Sequence, residues 1–321
     1  MPNSIYKDLE GLSFEKVETY ELKSRPSKVG ISNFAAPIGN NASLEEFLDS
    51  MPAILAVNSI RELADRLGKA REDGKPIIWG FGGHVVKTGL APIIIDLMDR
   101  GFVTALAVNG SVLVHDSEIA MVGFTSEDVD GSLGEGDFGA ARETGELLNR
   151  GARLAAEDGI GLGEGVSRAL IESGPSHTEA SILCAAFNRR IPVTSHITIG
   201  ADIGHFHPTA DGGNLGAASH ADFRLFSTLV GKMHGGGAYL NIGSAVTMPE
   251  LFLKAITVNR NLGNPLREIT TANFDFIQHY RPLTNVVRRP TANGAGKGFS
   301  LVGHHEIMIP LLASLLVTRG G

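Results

Sequence analysis

The feature that most restricts the fold is an alternation of short apolar runs with longer amphipathic segments, which continues from residue 75 onward. Strands are predicted at PIIWGF, VTALAVNG, IPVTSHITIG, GAYLNIGSA, LREITTANFDF and GFSLVG, and helical patterns separate them. Apolar runs of this kind are typical of parallel strands that are covered on both faces. Strands that alternate with helices indicate βαβ units. We therefore expect an α/β fold: a Rossmann-like, doubly wound, mostly parallel sheet with helices on both faces.

The segment before this alternation has a different character. Residues 1–42 lack sustained periodicity, and Ser43 with Glu46 forms a capping box that predicts the start of a helix. A second helical pattern follows and ends near Gly74. The chain is thus predicted to have an N-terminal extension with helices packed on the core, over residues 1–74, and one larger domain over residues 75–321.

Composition excludes several classes of function. The net charge of -7 argues against a general nucleic-acid surface, because phosphate binding needs concentrated lysine and arginine. No apolar run reaches the ~18 residues that a membrane-spanning helix needs, so we expect no membrane insertion. The single cysteine, Cys184, cannot form an internal disulfide, which fits a cytoplasmic location.

The predicted strands end in loops of similar composition. WGFGGH, NGSVLVHD, GADIGHFHPTADGGNLG, GSAVTMPE and TANFDF are each rich in glycine, small polar residues or acids. The carboxyl ends of parallel strands meet at one edge of the sheet, where α/β proteins bind their ligands. The loops therefore predict a composite pocket. None of these five loops contains the G-x-G-x-x-G fingerprint, and no phosphate-loop lysine motif is present.

Two clusters in these loops leave alternatives open. His205 and His207, two residues apart and followed by Asp211, have a spacing found in metal sites, but histidines in loops also make hydrogen bonds or face a ligand. Arg281, Arg288 and Arg289 follow the TANFDF strand. They either lie on the solvated surface or bind an anionic group through bidentate hydrogen bonds.

Several segments, in this order, resemble the deoxyhypusine synthase family over about residues 75–318. They are IIWGFGGHVVKTGLAPIIIDLMDRGFVTALAVNGSVLVHD, ADGGNLG, YLNIGSAVTMPE, TTANFDF, YRPLTNVVRRP and FSLVGHHEIMIPLLASLL. The resemblance implies a homotetramer with a Rossmann-like fold that binds NAD at its subunit interfaces. It also implies these cofactor-binding residues: Gly82, Gly83, Asn109, Gly110, Ser111, Asp211, Gly212, Gly216, Gly243, Ser244, Thr271, Ala272 and Asp275.

The departures from the family pattern concern the substrate. The lysine that forms the family's imine falls at Pro290, and the nearest lysine is Lys297. Two acidic positions of the family become Val114 and His115, although Asp116 remains. The carboxylates that would receive a polyamine are mostly missing while arginines have appeared, and these arginines would repel a cationic substrate. The sequence therefore argues against deoxyhypusine synthesis itself.

The sequence supports one main hypothesis and two alternatives. The main hypothesis is an NAD-dependent enzyme that acts on an anionic small molecule, held by Arg281, Arg288 and Arg289. Histidine suits the role of general base because its pKa lies near neutrality. The alternatives are a metal-dependent lyase or hydrolase that uses His205, His207 and Asp211, and a non-catalytic NAD-binding protein. The candidate catalytic residues are His84, His115, His205, Asp116 and Lys297.

Overall fold

A computed structural model of the protein describes residues 5–6, 9–134 and 136–319. Six strands form one parallel sheet in the order β3-β2-β1-β4-β5-β6. This confirms the predicted fold class. The strands are β1 Ile77–Phe81, β2 Ala105–Asn109, β3 Val193–His196, β4 Ala238–Ile242, β5 Ile269–Asp275 and β6 Gly296–Val302.

Twelve α-helices lie within the described ranges, and most of them connect consecutive strands. A short π-helical segment, Pro282–Arg288, follows β5. The helices are α1 Leu44–Ser50, α2 Leu55–Glu72, α3 His84–Lys87, α4 Ala91–Asp99, α5 Gly110–Val122, α6 Val129–Leu133, α7 Arg142–Asp158, α8 Leu162–Glu172, α9 Ile182–Asn188, α10 Gly212–Gly231, α11 Thr247–Asn261 and α12 His305–Arg319.

The sheet is buried between two apolar layers, as its unbroken apolar strands predict. On one face, Ile78 and Tyr239 pack with apolar side chains of α10 and α11. On the other face, Trp79 and Leu240 pack with helices that include α2, α4 and α12. The residues of both layers are almost fully buried, so the strands can present polar groups to a ligand only at their ends.

The strand order places a topological switch point between β1 and β4. The chain leaves β1 toward β2 on one side, whereas it leaves β4 toward β5 on the other. The loops after these two strands therefore diverge and leave a crevice at the carboxyl edge of the sheet. Open α/β sheets bind their ligands in such a crevice.

Two helices begin earlier than the sequence pattern indicates. Helix α5 begins at Gly110, where the Asn109 side chain accepts a hydrogen bond from the amide of Val112 at 3.3 Å. Helix α10 begins at Gly212, so the segment DGGNLG forms its first turn and is not a loop. In both cases the glycines at the helix start conceal the helical pattern, because glycine is a weak helix former.

The N-terminal region consists of two parts. Residues 9–42 are almost entirely exposed. Helix α2, by contrast, buries Ile60, Leu63 and Leu67 in the same core as the sheet. The capping box at Ser43 forms as predicted and begins α1. The division of the chain at residue 74 stays a prediction.

Among the described residues, no helix combines the length and the apolar character that crossing a membrane would require.

Candidate functional site

The β1 side of the crevice is built around Gly83. Its amide donates a hydrogen bond to the Ser111 hydroxyl at 3.1 Å, and that hydroxyl donates to the Asn109 side-chain oxygen at 2.8 Å. A methyl group at Gly83 would lie 2.7 Å from both the Ser111 hydroxyl and Cδ2 of His115. A larger residue at position 83 would therefore collide with these side chains. The two hydrogen bonds join the ends of β1 and β2 at the carboxyl edge of the sheet.

The β4 side is built around Gly243, which has a φ of +69°. A side chain at this position would run into the imidazole of His305, at the start of α12. His305 is buried, its Nε2 donates to the Phe274 carbonyl at 3.2 Å, and its Nδ1 has no hydrogen-bond partner among the described residues. Burial lowers the pKa of His305. Its ring stands edge-on to the exposed His84, with centroids 5.6 Å apart.

The start of α11 faces the same crevice. The amide of Met248 donates to the Ser244 hydroxyl at 3.2 Å, while the Ser244 carbonyl accepts from the Asn241 side chain at 2.9 Å. Asn241 also donates to Asn273 at 2.7 Å, and its side-chain oxygen has no partner among the described residues. A buried acceptor without a partner is costly unless a ligand or solvent satisfies it.

The face of α5 that carries Ser111 and His115 forms a wall of a second space, a cavity of about 170 Å³ next to the crevice. His115 is mostly buried, with its side chain 14% exposed. The lining of the cavity combines one lysine, several acidic residues and one histidine at the carboxyl edge of the sheet. Its lining includes Lys87, Ser111, His115, Glu127, Phe138 and Asp202.

The N-terminus of α5 is covered by Asp202. A side chain at Gly110 would collide with the Asp202 carboxylate, which lies over the first turn of the helix. Burial raises the pKa of Asp202, whereas the nearby His205 and the Thr198 amide lower it. A negative charge at a helix N-terminus is favourable. Gly110 therefore serves close packing by the protein's own carboxylate.

Two predicted catalytic residues do not take part in this site. The Asp116 carboxylate is hydrogen-bonded within the core, and Lys297 lies at the opposite edge of the sheet. Asp116 is completely buried, and its carboxylate accepts from the Ser181 hydroxyl at 2.5 Å and from the amides of Ile182 and Leu183 at 2.8 and 2.9 Å. It caps α9 and does not face the cavity. Lys297 lies at the amino end of β6, where it forms an ion pair with Glu62 of α2. That is the opposite edge of the sheet.

Two of the three arginines are linked through Glu250, in the first turn of α11. Arg281 lies 3.4 Å from Glu250. The Arg289 guanidinium donates to the Asn285 side-chain oxygen at 2.8 Å, and Asn285 donates to the same Glu250 oxygen at 2.9 Å. Arg288 is exposed.

The predicted metal cluster is not assembled. The Asp211 carboxylate accepts from the Asn214 amide at 2.8 Å and caps α10. Nδ1 of His205 accepts from the Gly200 amide at 3.1 Å, and Nδ1 of His207 lies 2.8 Å from the Thr209 hydroxyl. Within the described ranges, no group of three or more histidine, cysteine, aspartate or glutamate residues is arranged to hold a metal ion.

The remaining predicted cofactor residues occupy two kinds of position. Gly212 and Gly216 lie in the exposed or half-exposed first turns of α10. Thr271 and Ala272 are fully buried within β5, where they cannot touch a ligand at the edge. Asp275 ends β5 at the carboxyl edge, and it is 4% exposed.

Sequence reasoning missed Glu118 and Thr125, which contact His115. The Thr125 hydroxyl lies 2.8 Å from Nδ1 of His115 and donates to the Glu118 carboxylate. A signal was available, since Ser111, His115 and Glu118 follow the i, i+4, i+7 spacing of one helix face. This spacing marks one helix face only if α5 begins at Gly110, which the sequence pattern does not indicate.

A larger cavity, of about 410 Å³, lies at the amino end of β3. Phe187, Ile191, Pro192 and Leu225 make most of its wall apolar, and Glu164 and Arg190 are the ionisable residues at its rim. Its lining includes no histidine and no glycine.

A glycine-lined crevice at the switch point of a doubly wound parallel sheet places the chain among the Rossmann-like α/β proteins. Comparison with protein-family models and with curated proteins finds no match. Solved structures do match. A protein from Methanococcus maripaludis S2 described as LOR/SDH has a TM-score of 0.50 at 16% identity, covering 83% of this chain and 70% of its own.

Two further matches have similar scores. Unliganded AgrE gives a TM-score of 0.52 at 18% identity, covering 81% of this chain but only 32% of AgrE. A protein from Entamoeba histolytica described as a deoxyhypusine synthase gives 0.50 at 11% identity, covering 87% of this chain and 95% of its own. The chain thus spans about a third of AgrE, which has also been crystallised with ornithine and NAD+. At these identities the likeness concerns the fold.

Proposed function

We propose that this chain is an NAD-dependent enzyme that oxidises or reduces a small molecule in the cavity beside His115. The observation that carries the proposal is the position of Gly83, between the crevice and the Ser111–His115 face of α5. One glycine at the switch point thus adjoins both a space suited to a cofactor and a side chain suited to proton transfer. The resemblance to the deoxyhypusine synthase family supports NAD as the cofactor.

The residues of the crevice fit a dinucleotide. The loops after β1 and β4 carry Gly82, Gly83 and Gly243, and the absence of side chains there lets Asn109, Ser111, His115 and His305 pack closely against the backbone. Helix α11 adds a helix N-terminus, which favours anions. The unpartnered Nδ1 of His305 and side-chain oxygen of Asn241 are acceptors for amide or hydroxyl groups.

His115 is the base that the geometry favours. NAD, when bound, supplies a hydride acceptor for the substrate carbon. The chain's own task is then to take the proton from the adjacent oxygen or nitrogen, and His115 lines the cavity beside Ser111. His84 and His205 are not among the residues that line this cavity.

The charge of the substrate was expected to match three arginines, which the lining of the cavity does not include. An anion in the cavity beside His115 would not be held by Arg281, Arg288 or Arg289, because none of the three is among the residues that line that cavity. Lys87 is the cation that lines the cavity, together with Glu127 and Asp202. The proposed substrate is therefore a small molecule whose charge is not inferred from Arg288 and Arg289.

Calorimetric titration of NAD+ into the protein tests the proposal, with Gly243→Ala as the diagnostic variant. The added methyl group would displace the His305 imidazole and close the β4 side of the crevice. We expect saturable binding by the wild type and a loss of affinity of about tenfold or more in the variant, equivalent to about 1.4 kcal/mol.

The matched control is Gly294→Ala. Gly294 also has a left-handed backbone, with a φ of +76°, but a methyl group there would meet nothing within 4 Å. It lies beside the amino end of β6, away from the crevice. Both variants carry similar backbone strain, so unequal NAD affinities report on the crevice. Absence of binding by the wild type at millimolar cofactor would refute the proposal.

A further inference from the structure

His115 lies at one end of a hydrogen-bonded chain that leads away from the cavity. Its Nδ1 is 2.8 Å from the Thr125 hydroxyl oxygen, and the Thr125 hydroxyl donates to Oε2 of Glu118. The other carboxylate oxygen, Oε1, accepts from the Thr144 hydroxyl at 3.0 Å. The chain links α5, the exposed connection after it, and α7.

The number of protons in this chain fixes the state of the imidazole. A threonine hydroxyl has one hydrogen to donate, and Thr125 gives it to Glu118. The Thr125 oxygen can then only accept from His115, so Nδ1 must carry a proton. When the ring is neutral, its second nitrogen, Nε2, has a free lone pair. Cδ2, the ring atom bonded to Nε2, lies on the side of the ring that faces Gly83.

Glu118 is suited to the role of final acceptor. Its side chain is 18% exposed and lies 3.8 Å from Nδ1 of His115. Burial raises the pKa of the Glu118 carboxyl, but its contacts with His115, Thr125 and Thr144 outweigh burial and leave that pKa below the ordinary value. The carboxylate is therefore ionised at neutral pH, and an ionised carboxylate can only accept hydrogen bonds.

We propose that Thr125 and Glu118 are positioning residues that hold neutral His115 as its Nδ1–H tautomer and so make Nε2 the proton-accepting atom at the cavity. The use of that atom in catalysis rests on the proposed function. The tautomer itself is a property of this chain alone and exists without a cofactor or a substrate.

Two other histidines provide internal references. Nδ1 of His207 accepts from the Thr209 amide at 3.3 Å, and Nδ1 of His205 accepts from the Gly200 amide at 3.1 Å. In both rings Nδ1 therefore lacks a proton, and the neutral ring carries it on Nε2. His207 also contacts a threonine hydroxyl at 2.8 Å, as His115 does, but no hydrogen bond to a carboxylate is present for Thr209 within the described part of the chain.

Nuclear magnetic resonance of protein labelled with ¹⁵N-histidine tests the inference without cofactor. At a pH where the spectrum itself shows neutral rings, we expect His115 to carry its proton on Nδ1, and His205 and His207 to carry theirs on Nε2. The His115 signal is assigned by its disappearance in His115→Gln. Replacement of Thr125 by valine removes the acceptor while keeping the shape, and we expect the His115 proton to move to Nε2.

Two controls separate positioning from folding. Thr125→Ser restores the hydroxyl and should restore the wild-type tautomer, whereas Thr209→Val should change the His207 signal and leave that of His115 as it was. An Nε2–H tautomer for His115 in the wild type would overturn the inference. So would an unchanged tautomer in a folded Thr125→Val variant. A wild type that fails to bind NAD+ but shows the expected tautomer would refute the proposed cofactor and leave the positioning of His115 intact.

Discussion

Asp222 is an acidic side chain that lies wholly within the core, where it joins α10 to β3 and α8. Its Oδ2 accepts from the Ser195 amide at 2.7 Å and from the Gly163 amide at 2.8 Å. Burial raises the pKa of Asp222 to about 7, although these amides act in the opposite direction. The residue is therefore a source of pH-dependent stability.

The sign of that dependence follows from proton linkage. An unfolded aspartate titrates near 3.8, whereas native Asp222 keeps its proton until the pH approaches about 7. Between these values the native state binds more protons than the unfolded chain, so the free energy of unfolding falls as the pH rises. The stabilisation is complete below the unfolded pKa and is lost as the pH passes through the native one.

Urea unfolding from about pH 4.5 to about pH 7.5 measures this slope. We expect Asp222→Asn to remove the contribution of Asp222 and so to shift the slope toward positive values. Asp116, whose pKa burial raises to about 6, acts in the same direction as Asp222, whereas buried His196, whose pKa burial lowers to about 3, acts in the opposite direction. The exposed Asp130 provides the control, and Asp130→Asn should keep the wild-type slope. A wild-type slope in Asp222→Asn would show that Asp222 does not titrate in this range.

Individual residues show why the site was only partly predictable. Sequence reasoning selected both His115 and Asp116, but consecutive residues on a helix point about 100° apart. His115 therefore faces the cavity while Asp116 faces the core and caps α9. Residue type identifies both as candidates, and only the rotation of α5 separates them.

At the level of elements, the close contact between β1 and β4 depends on Gly80. A methyl group there would lie 2.8 Å from Cζ of the buried Tyr239 ring. We expect Gly80→Ala to lower the free energy of unfolding by about 1–3 kcal/mol, because an overpacked core must shift. Chemical denaturation measures the change.

A second glycine gives the opposite expectation. Gly68 lies within α2, and a methyl group there would meet nothing within 4 Å. Gly68→Ala should therefore stabilise the protein by roughly 0.5–1 kcal/mol, through the lower conformational entropy of the unfolded chain. If both substitutions changed stability in the same direction, the close packing of Tyr239 on Gly80 would be in doubt.

The strands were predictable because apolar runs bounded by glycine and polar residues have few other interpretations. The helix starts were harder. Gly110 and Gly212 each begin a helix directly after a capping side chain, Asn109 or Asp211, and the glycines suggest a loop. The arginines posed a different problem. Arg281 and Asn285, the partner of Arg289, both contact Glu250 in the first turn of α11, a link that sequence proximity does not reveal.

At the scale of the whole molecule, the N-terminal region exposes more apolar surface than an isolated chain would need. Between residues 9 and 38, side chains such as Leu12, Phe14 and Ile31 are 84%, 74% and 84% exposed. Helix α12 also exposes Ile307, although it buries Leu312. Large exposed apolar surfaces are typical of sites of association.

We therefore propose that the chain forms a homo-oligomer, with the tetramer that the family resemblance implies. Light scattering at micromolar concentration should give four times the mass of one chain. A chain shortened to begin at residue 43, which keeps the capping box of α1, should form a smaller assembly if the exposed segment takes part. A monomeric full-length protein would contradict the proposal.

The location of the cofactor is the central claim, and hydrogen exchange measured by mass spectrometry tests it most directly. Amides that contact NAD+ exchange more slowly when it binds, because local opening must then compete with binding. We expect slower exchange in peptides that cover residues 82–90 and 243–250, which form the two sides of the crevice. Peptides from α8 and from the amino end of β3 should be unaffected. Protection at that opposite edge, or no protection at saturating NAD+, would contradict an NAD site at the switch point.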